Sequence, residues 1–181
     1  MSTEKLSVIV RPARVGDGPE IANVHLNSWQ ETYEGLLPKS YLDTMPLTFK
    51  SRTNFWSNLI DEKPQGREIW VAESKKHGIV GFSTVEVARD RKFSGYGELG
   101  AIYLLKHYQG SGVGFKLLRA AFSHLKENGL SKAYCWVLKN NPTIFFYEKS
   151  GGRVTDDLKI DKRDAVELIE LACVWENLSF F

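Results

Sequence analysis

Residues 98–128 constrain this chain more than any other stretch. An apolar run, ELGAIYLL, leads into YQGSGVG, and from Gly112 to Asn128 the pattern becomes helical. Val113, Leu117, Leu118, Ala121, Phe122 and Leu125 fall on one face of that helix, while Lys116, Arg119, Ser123, Lys126 and Glu127 fall on the other. A strand that turns straight into an amphipathic helix commits the chain to α/β layering. The three glycines at alternate positions, Gly110, Gly112 and Gly114, leave backbone N–H groups unobstructed where the helix begins. Those groups and the positive end of the helix dipole point the same way, so the turn favours an anion, and a phosphate fits best.

The remaining pattern supplies the other layers. SVIVRP (residues 7–12) is β-branched and predicts a first strand. Asp17 and Glu20 have capping-box spacing ahead of Ile21, Val24, Trp29 and Tyr33 at helical intervals. A second helical region follows Pro38, breaks at Pro46 and resumes over residues 49–60. Residues 63–66 (KPQG) form a loop, and REIWVAES and GIVGFSTVEVAR predict an antiparallel hairpin. A glycine turn over residues 93–97 precedes the strand at 98–105. Gly129 caps the long helix, KAYCWVL (132–138) is a strand, and Asn141 caps a short helix with Pro142 at its first position. Strands over 153–160 and 165–175 finish the chain. No repeat or linker interrupts it, so residues 1–181 read as one domain.

Composition excludes several functions. A net charge of +2 is too small for a nucleic-acid binder. Two cysteines, Cys135 and Cys173, stand in separate apolar runs with no Cys/His cluster nearby, so both read as small buried hydrophobes and no metal site is expected. MSTEKLSVIV lacks the apolar region of a signal peptide, and no run is long enough to span a bilayer, so no membrane association and a cytoplasmic location are expected. The loop itself fails two familiar phosphate motifs. Both the Walker A loop and the dinucleotide fingerprint need a residue other than Phe115 at the position five beyond Gly110.

A third pattern fits. QGSGVG, with Gln109, Gly112 and Gly114 at fixed positions, resembles the Q/R-x-x-G-x-G/A signature of the GNAT superfamily of N-acetyltransferases. ELGAIYLLKHY resembles the superfamily's preceding strand, with Lys106 in place of the usual proline. NNPTIFFYEKSGGR resembles its second signature, and VELIELACVW its last strand. The opening VRPARVGDGPEIANVHLNSWQETYEGLLP is similar to a bacterial branch that includes polyamine acetyltransferases. The resemblance spans nearly the whole chain in the correct order.

It implies an α/β (α+β) fold: a mostly antiparallel, twisted sheet flanked by about four helices, with the strands at 98–105 and 132–138 parallel and splayed apart. Acetyl-CoA is the implied donor. Backbone N–H groups of Gln109, Gly110, Ser111, Gly112, Val113 and Gly114 would hold its pyrophosphate. Ile102, Tyr103 and Leu104 would pair with the pantetheine, and Asn140 or Asn141, with Asn141 favoured, would reach it from the opposite strand. Tyr147 is the implied general acid, also touching the cofactor, and Glu98 the candidate base. Three successive aromatics cannot share one helix face, since each step rotates about 100°, so Phe146 and Tyr147 diverge.

An aromatic and carboxylate group at the end of the first helix, Trp29, Glu31, Tyr33 and Glu34, suits a cationic amine. The expected reaction is acetyl transfer to a primary amine of a small molecule such as a polyamine. Two alternatives stand beside it: acetylation of a protein N-terminus or lysine, and a non-catalytic acetyl-CoA-binding regulatory module. Acceptor choice would rest with the first two helices, the 93–97 loop and the 161–164 turn. The apolar Phe180-Phe181 end points to contact with a second copy.

Overall fold

The computed structural model describes residues 7–163 and 166–181. The strands are β1 (Val8–Pro12), β2 (Glu68–Ser74), β3 (Gly78–Val87), β4 (Gly97–Leu104), β5 (Ala133–Leu138), β6 (Arg153–Arg163) and β7 (Val166–Trp175). The helices are α1 (Gly18–Tyr33), α2 (Lys39–Thr44), α3 (Phe49–Glu62), α4 (Val113–Glu127) and α5 (Thr143–Lys149). Residues 1–6, the expected turn's last residue Asp164 and the expected strand's first residue Ala165 lie outside the described residues. Among the described residues no helix is long and apolar enough to cross a membrane.

The strands form one sheet in the order β1-β2-β3-β4-β5-β7-β6. Every neighbouring pair is antiparallel except β4 and β5. That parallel pair touches at two positions only, Gly97 with Ala133 and Glu98 with Tyr134. Beyond them the strands part. β3 passes from pairing Thr84 with Ala101 to pairing Val85 with Leu99, which leaves Gly100 as the extra residue of a bulge on β4. A bulge bends its strand, and this one turns β4 away while β5 stays paired with β7 along its whole length.

The helices cover both faces. Leu117, Leu118, Ala121, Phe122 and Leu125 of α4 are fully buried against Ala72, Val80, Val85, Leu99 and neighbouring strands. The predicted apolar stripe is therefore the stripe that packs, each large side chain contributing about 1.5–3 kcal/mol by leaving water. α1 and α3 take the other face, closing Ile21, Val24 and Trp56 over Val71 and Phe82. Gly97 is where α4 comes closest: a Cβ there would lie 2.3 Å from Leu125 Cδ1. Pro46 sits in a 3-10 turn over Met45–Thr48 that separates α2 from α3.

Several local expectations change. The Asp17/Glu20 capping box does not form. Asp17 pairs with Arg11 at 2.7 Å and accepts from the Arg14 N–H, while Glu20 reaches the Ile79 N–H, 2.7 Å away, beside the slip in register between β2 and β3. An ionised partner makes the stronger hydrogen bond, so tertiary contacts win over the local motif. Phe93 lies in a 3-10 turn (Arg91–Phe93), its ring stacked 4.0 Å from that of Tyr134 instead of lining a loop. Cys135 and Cys173 become direct cross-strand partners, both buried and unbridged. Phe181 packs against Phe122, and Phe180 alone stands exposed.

Candidate active site in the strand splay

The gap between β4 and β5 is a cleft of about 770 Å³. The segment 101–104 of β4 forms one wall; β3 pairs its far side, so its near edge faces the gap. Ile102, Tyr103 and Leu104 all line it, as expected. At its end the Gln109 side chain folds back and donates from Nε2 to the Leu104 carbonyl at 2.9 Å, closing the turn. The N–H of Lys106 donates to Glu31 Oε2 at 3.1 Å, a bond that proline at this position would forbid.

The glycine loop follows. Gly110 and Gly112 have φ of +71° and +84°, a left-handed conformation natural to glycine, and a Cβ on either would meet open space. The first helical bond inside α4 joins the Lys116 N–H to the Gly112 carbonyl. The N–H groups of Val113, Gly114 and Phe115 therefore lack an intrahelical acceptor. Gln109, Gly110, Gly112 and Gly114 line the cleft. Side chains of the other two expected residues turn elsewhere, with Val113 buried in the core and the Ser111 hydroxyl bonded to the Tyr108 carbonyl. Only their backbone remains for a ligand. Lys116 and Arg119 are exposed.

The opposite wall comes from β5, α5 and β7. Asn141 is buried and lines the cleft; its Oδ1 accepts from the Thr143 N–H at 2.9 Å, so the helix cap leaves the amide NH₂ as a donor. Asn140 is exposed and does not line the cleft, because the turn after β5 carries it outward. All three aromatics of α5 border the cleft and differ in burial: Phe145 is exposed, Phe146 half-buried and Tyr147 buried. Burial, chiefly, pushes the Tyr147 hydroxyl well above its ordinary pKa, helped by the neighbouring Cys135 thiol.

Glu98 does not reach this cleft. It lies at the closed end of the splay, opposite Tyr134, where it accepts from Tyr134 Oη at 2.8 Å and from Arg89 Nη2 at 2.5 Å and Nε at 3.1 Å. Burial acts to raise its pKa, but the bonds from Arg89 and Tyr134 together outweigh it and hold the carboxyl below the usual range. A carboxylate so held is a poor base. The expectation that Glu98 abstracts the proton is therefore corrected.

The acceptor-side residues divide likewise. Trp29, Glu31 and Tyr33 line the cleft, with Trp29 Nε1 donating to Tyr103 Oη at 2.9 Å and its ring edge-on to Tyr33. Trp29 is at once a core residue and part of the wall. Glu34 lies beyond the last turn of α1, exposed and away from the cleft. Among the lining residues that escaped the sequence reading are Trp136, Leu168 and Glu170. Only the pairing of β5 with β7 brings them together, and no local motif marks them. Among the described residues no three His, Cys, Asp or Glu side chains are grouped to hold a metal ion.

The chain is similar to known proteins in sequence and in fold. The family model described as "Acetyltransferase (GNAT) family" matches residues 26–152. An uncharacterized N-acetyltransferase, YuaI, of Bacillus subtilis is 34% identical over 174 residues, covering 95% of each chain. A spermidine N(1)-acetyltransferase of Thermoplasma acidophilum is 22% identical, covering 83% of this chain and 91% of that protein. Among solved structures, the PaiA N-acetyltransferase of Thermoplasma acidophilum in complex with coenzyme A superposes with a TM-score of 0.68 at 20% identity, covering 93% of this chain and 98% of that one. The chain belongs to the GNAT family and is an acetyl-CoA-dependent N-acetyltransferase.

Proposed function

We propose that the protein transfers the acetyl group of acetyl-CoA to a primary amine of a small cationic molecule of the polyamine type. The observation that carries this reading is the composition of the cleft. Aromatic rings of Trp29, Tyr33 and Trp136 share the cleft with the carboxylates of Glu31 and Glu170, a lining that attracts an ammonium group and accommodates its alkyl chain, while Lys106 and Lys149 also border it. The relationship to a spermidine N(1)-acetyltransferase supports the same class of acceptor.

The chain's own groups suit the donor. The free N–H groups at the start of α4 bind the pyrophosphate as a helix terminus binds any phosphate. The edge of Ile102, Tyr103 and Leu104 offers ladder positions to the pantetheine amides, as to an added strand, and the Asn141 amide donates from across the cleft. Acetyl-CoA supplies the thioester.

An alkylamine with pKa about 10.4 is almost wholly protonated at neutral pH. The carboxylates and rings that draw the ammonium in favour its charged form. Deprotonation therefore falls to the reacting amine deeper in the cleft beside buried Tyr147, where desolvation lowers its pKa and the proton leaves to water. The neutral nitrogen then attacks the carbonyl carbon: the C–N bond forms, the C–S bond breaks and the second nitrogen proton passes through water to the departing sulfur. Tyr147, held protonated by burial, donates a hydrogen bond to the departing sulfur, which ends as the free thiol.

A thiol-release assay with acetyl-CoA over diamines, polyamines, amino acids, aminoglycosides and N-terminal peptides tests the reading. Turnover with diamines and polyamines is the expected result. Turnover confined to peptides, or acetyl-CoA binding without thiol release for any amine, contradicts it.

A further inference from the structure

Lys159 of the edge strand β6 projects toward the acceptor side of the cleft. It faces Glu170 across the β6–β7 ladder, its Nζ lies 3.5 Å from Glu170 Oε2, and the same nitrogen stands 5.8 Å from the ring centroid of Trp136. Both partners line the cleft, and Lys159 itself does not. An ammonium group already rests on a carboxylate and an aromatic face at the wall where a cationic acceptor would dock.

We propose that Glu170 and Trp136 form a subsite for the second, non-reacting ammonium of a diamine or polyamine, and that Lys159 fills it until such an acceptor arrives. This rests on the small-amine reading above. The geometry fits a temporary occupant. A charge-assisted N–H···O bond closes to about 2.7–2.9 Å, so 3.5 Å marks a loose pair. The lysine side chain is 47% exposed, whereas Glu170 is 17% exposed and fixed in the sheet. Loose, solvent-facing ion pairs contribute little to stability; releasing one costs the fold little. An incoming ammonium replaces Lys159 on the same carboxylate and the same ring, while the lysine swings into water. The reacting amine of the acceptor then lies deeper, toward Tyr147. Acceptors with a single amino group gain nothing from the subsite.

Steady-state kinetics with 1,4-diaminobutane and 1-aminobutane test this. Removing the competitor in Lys159→Ala lowers KM for the diamine about two- to fivefold, with KM for 1-aminobutane changed less than twofold. Glu170→Gln raises the diamine KM roughly tenfold, and adding Lys159→Ala to it brings no further fall. A diamine KM that is unchanged or raised in Lys159→Ala, equal shifts for both amines in that variant, or a fall on Lys159→Ala that persists in the Glu170→Gln background overturns the proposal. If neither amine is acetylated although acetyl-CoA binds, the small-amine reading fails first. Calorimetry of 1,4-diaminobutane binding to the coenzyme A complex then decides the subsite independently. Tighter binding to Lys159→Ala than to the parent supports it, and no binding to either overturns it.

Discussion

Replacing Tyr147 by phenylalanine keeps a ring that stands edge-on to Trp175, 5.5 Å between centroids, and removes one oxygen at the cleft wall. Burial holds that hydroxyl's pKa well above the 10.0 of ordinary tyrosine, whereas a thiol titrates near about 8.5. Tyr147 is thus a weaker acid than the thiol it serves, and complete proton transfer to the sulfur runs uphill. What the hydroxyl supplies is a hydrogen bond to developing negative charge, worth about 1.5–3 kcal/mol. At about 1.36 kcal/mol per decade, Tyr147→Phe lowers kcat roughly 10- to 150-fold. KM for acetyl-CoA changes less than about twofold, because the proposed donor contacts are the backbone groups and Asn141. The ring's packing survives, so the melting temperature moves little. Initial rates of thiol release at saturating amine, with a thermal melt of each protein, give all three quantities. A kcat within twofold of the parent's refutes the reasoning; so does a loss that appears wholly in KM.

Further consequences concern the loop and the ion pair that exposed Arg89 makes with the buried Glu98 carboxylate. Gly112→Ala places a side chain at φ of +84°, a conformation that costs an L-residue about 1–2 kcal/mol; the loop shifts, KM for acetyl-CoA rises about tenfold, and kcat changes less than threefold. An unchanged KM in initial-rate measurements would take the loop out of donor binding. Glu98→Gln keeps an acceptor for Tyr134 but strips the charge opposite Arg89, so urea denaturation shows a loss of about 1–3 kcal/mol while kcat falls less than threefold. A hundredfold fall in kcat with unaltered stability would return Glu98 to the chemistry. Glu98 and Asp17 both have lowered folded-state pKa values; the stability they give is complete above the unfolded values of about 4 and is lost as pH falls through the folded ones. Urea midpoints measured from pH 6 downward fall accordingly, less steeply in Glu98→Gln, and a midpoint that rises on acidification contradicts the assignment.

Local features were readable from the sequence, and features made by distant pairing were not. The strand–glycine–helix unit, the apolar stripe of α4 and the Asn141 bond to the Thr143 N–H all depend on neighbours a few residues away. Glu98 looked like a free strand-end carboxylate because Arg89 approaches it from the turn after β3, and Tyr134 from a strand 36 residues on. Asp17 and Glu20 had the spacing of a capping box, but Arg11 and Ile79 supplied better partners. Glu31 and Glu34 look alike in sequence; one lies on the last turn of α1 at the cleft and the other after the chain has turned away. Trp136 and Glu170 carry no motif and become neighbours of the cleft only when β7 returns beside β5.

In the proposed function, the glycine loop and the free edge of β4 hold the donor in the splay. Backbone amide NMR during titration with acetyl-CoA tests it most directly. Saturable shifts concentrated at Ile102, Tyr103, Leu104, Gly112 and Gly114, with the Asn141 side-chain amide moving alongside, are predicted. Saturable binding that leaves those amides in place and moves others would contradict it.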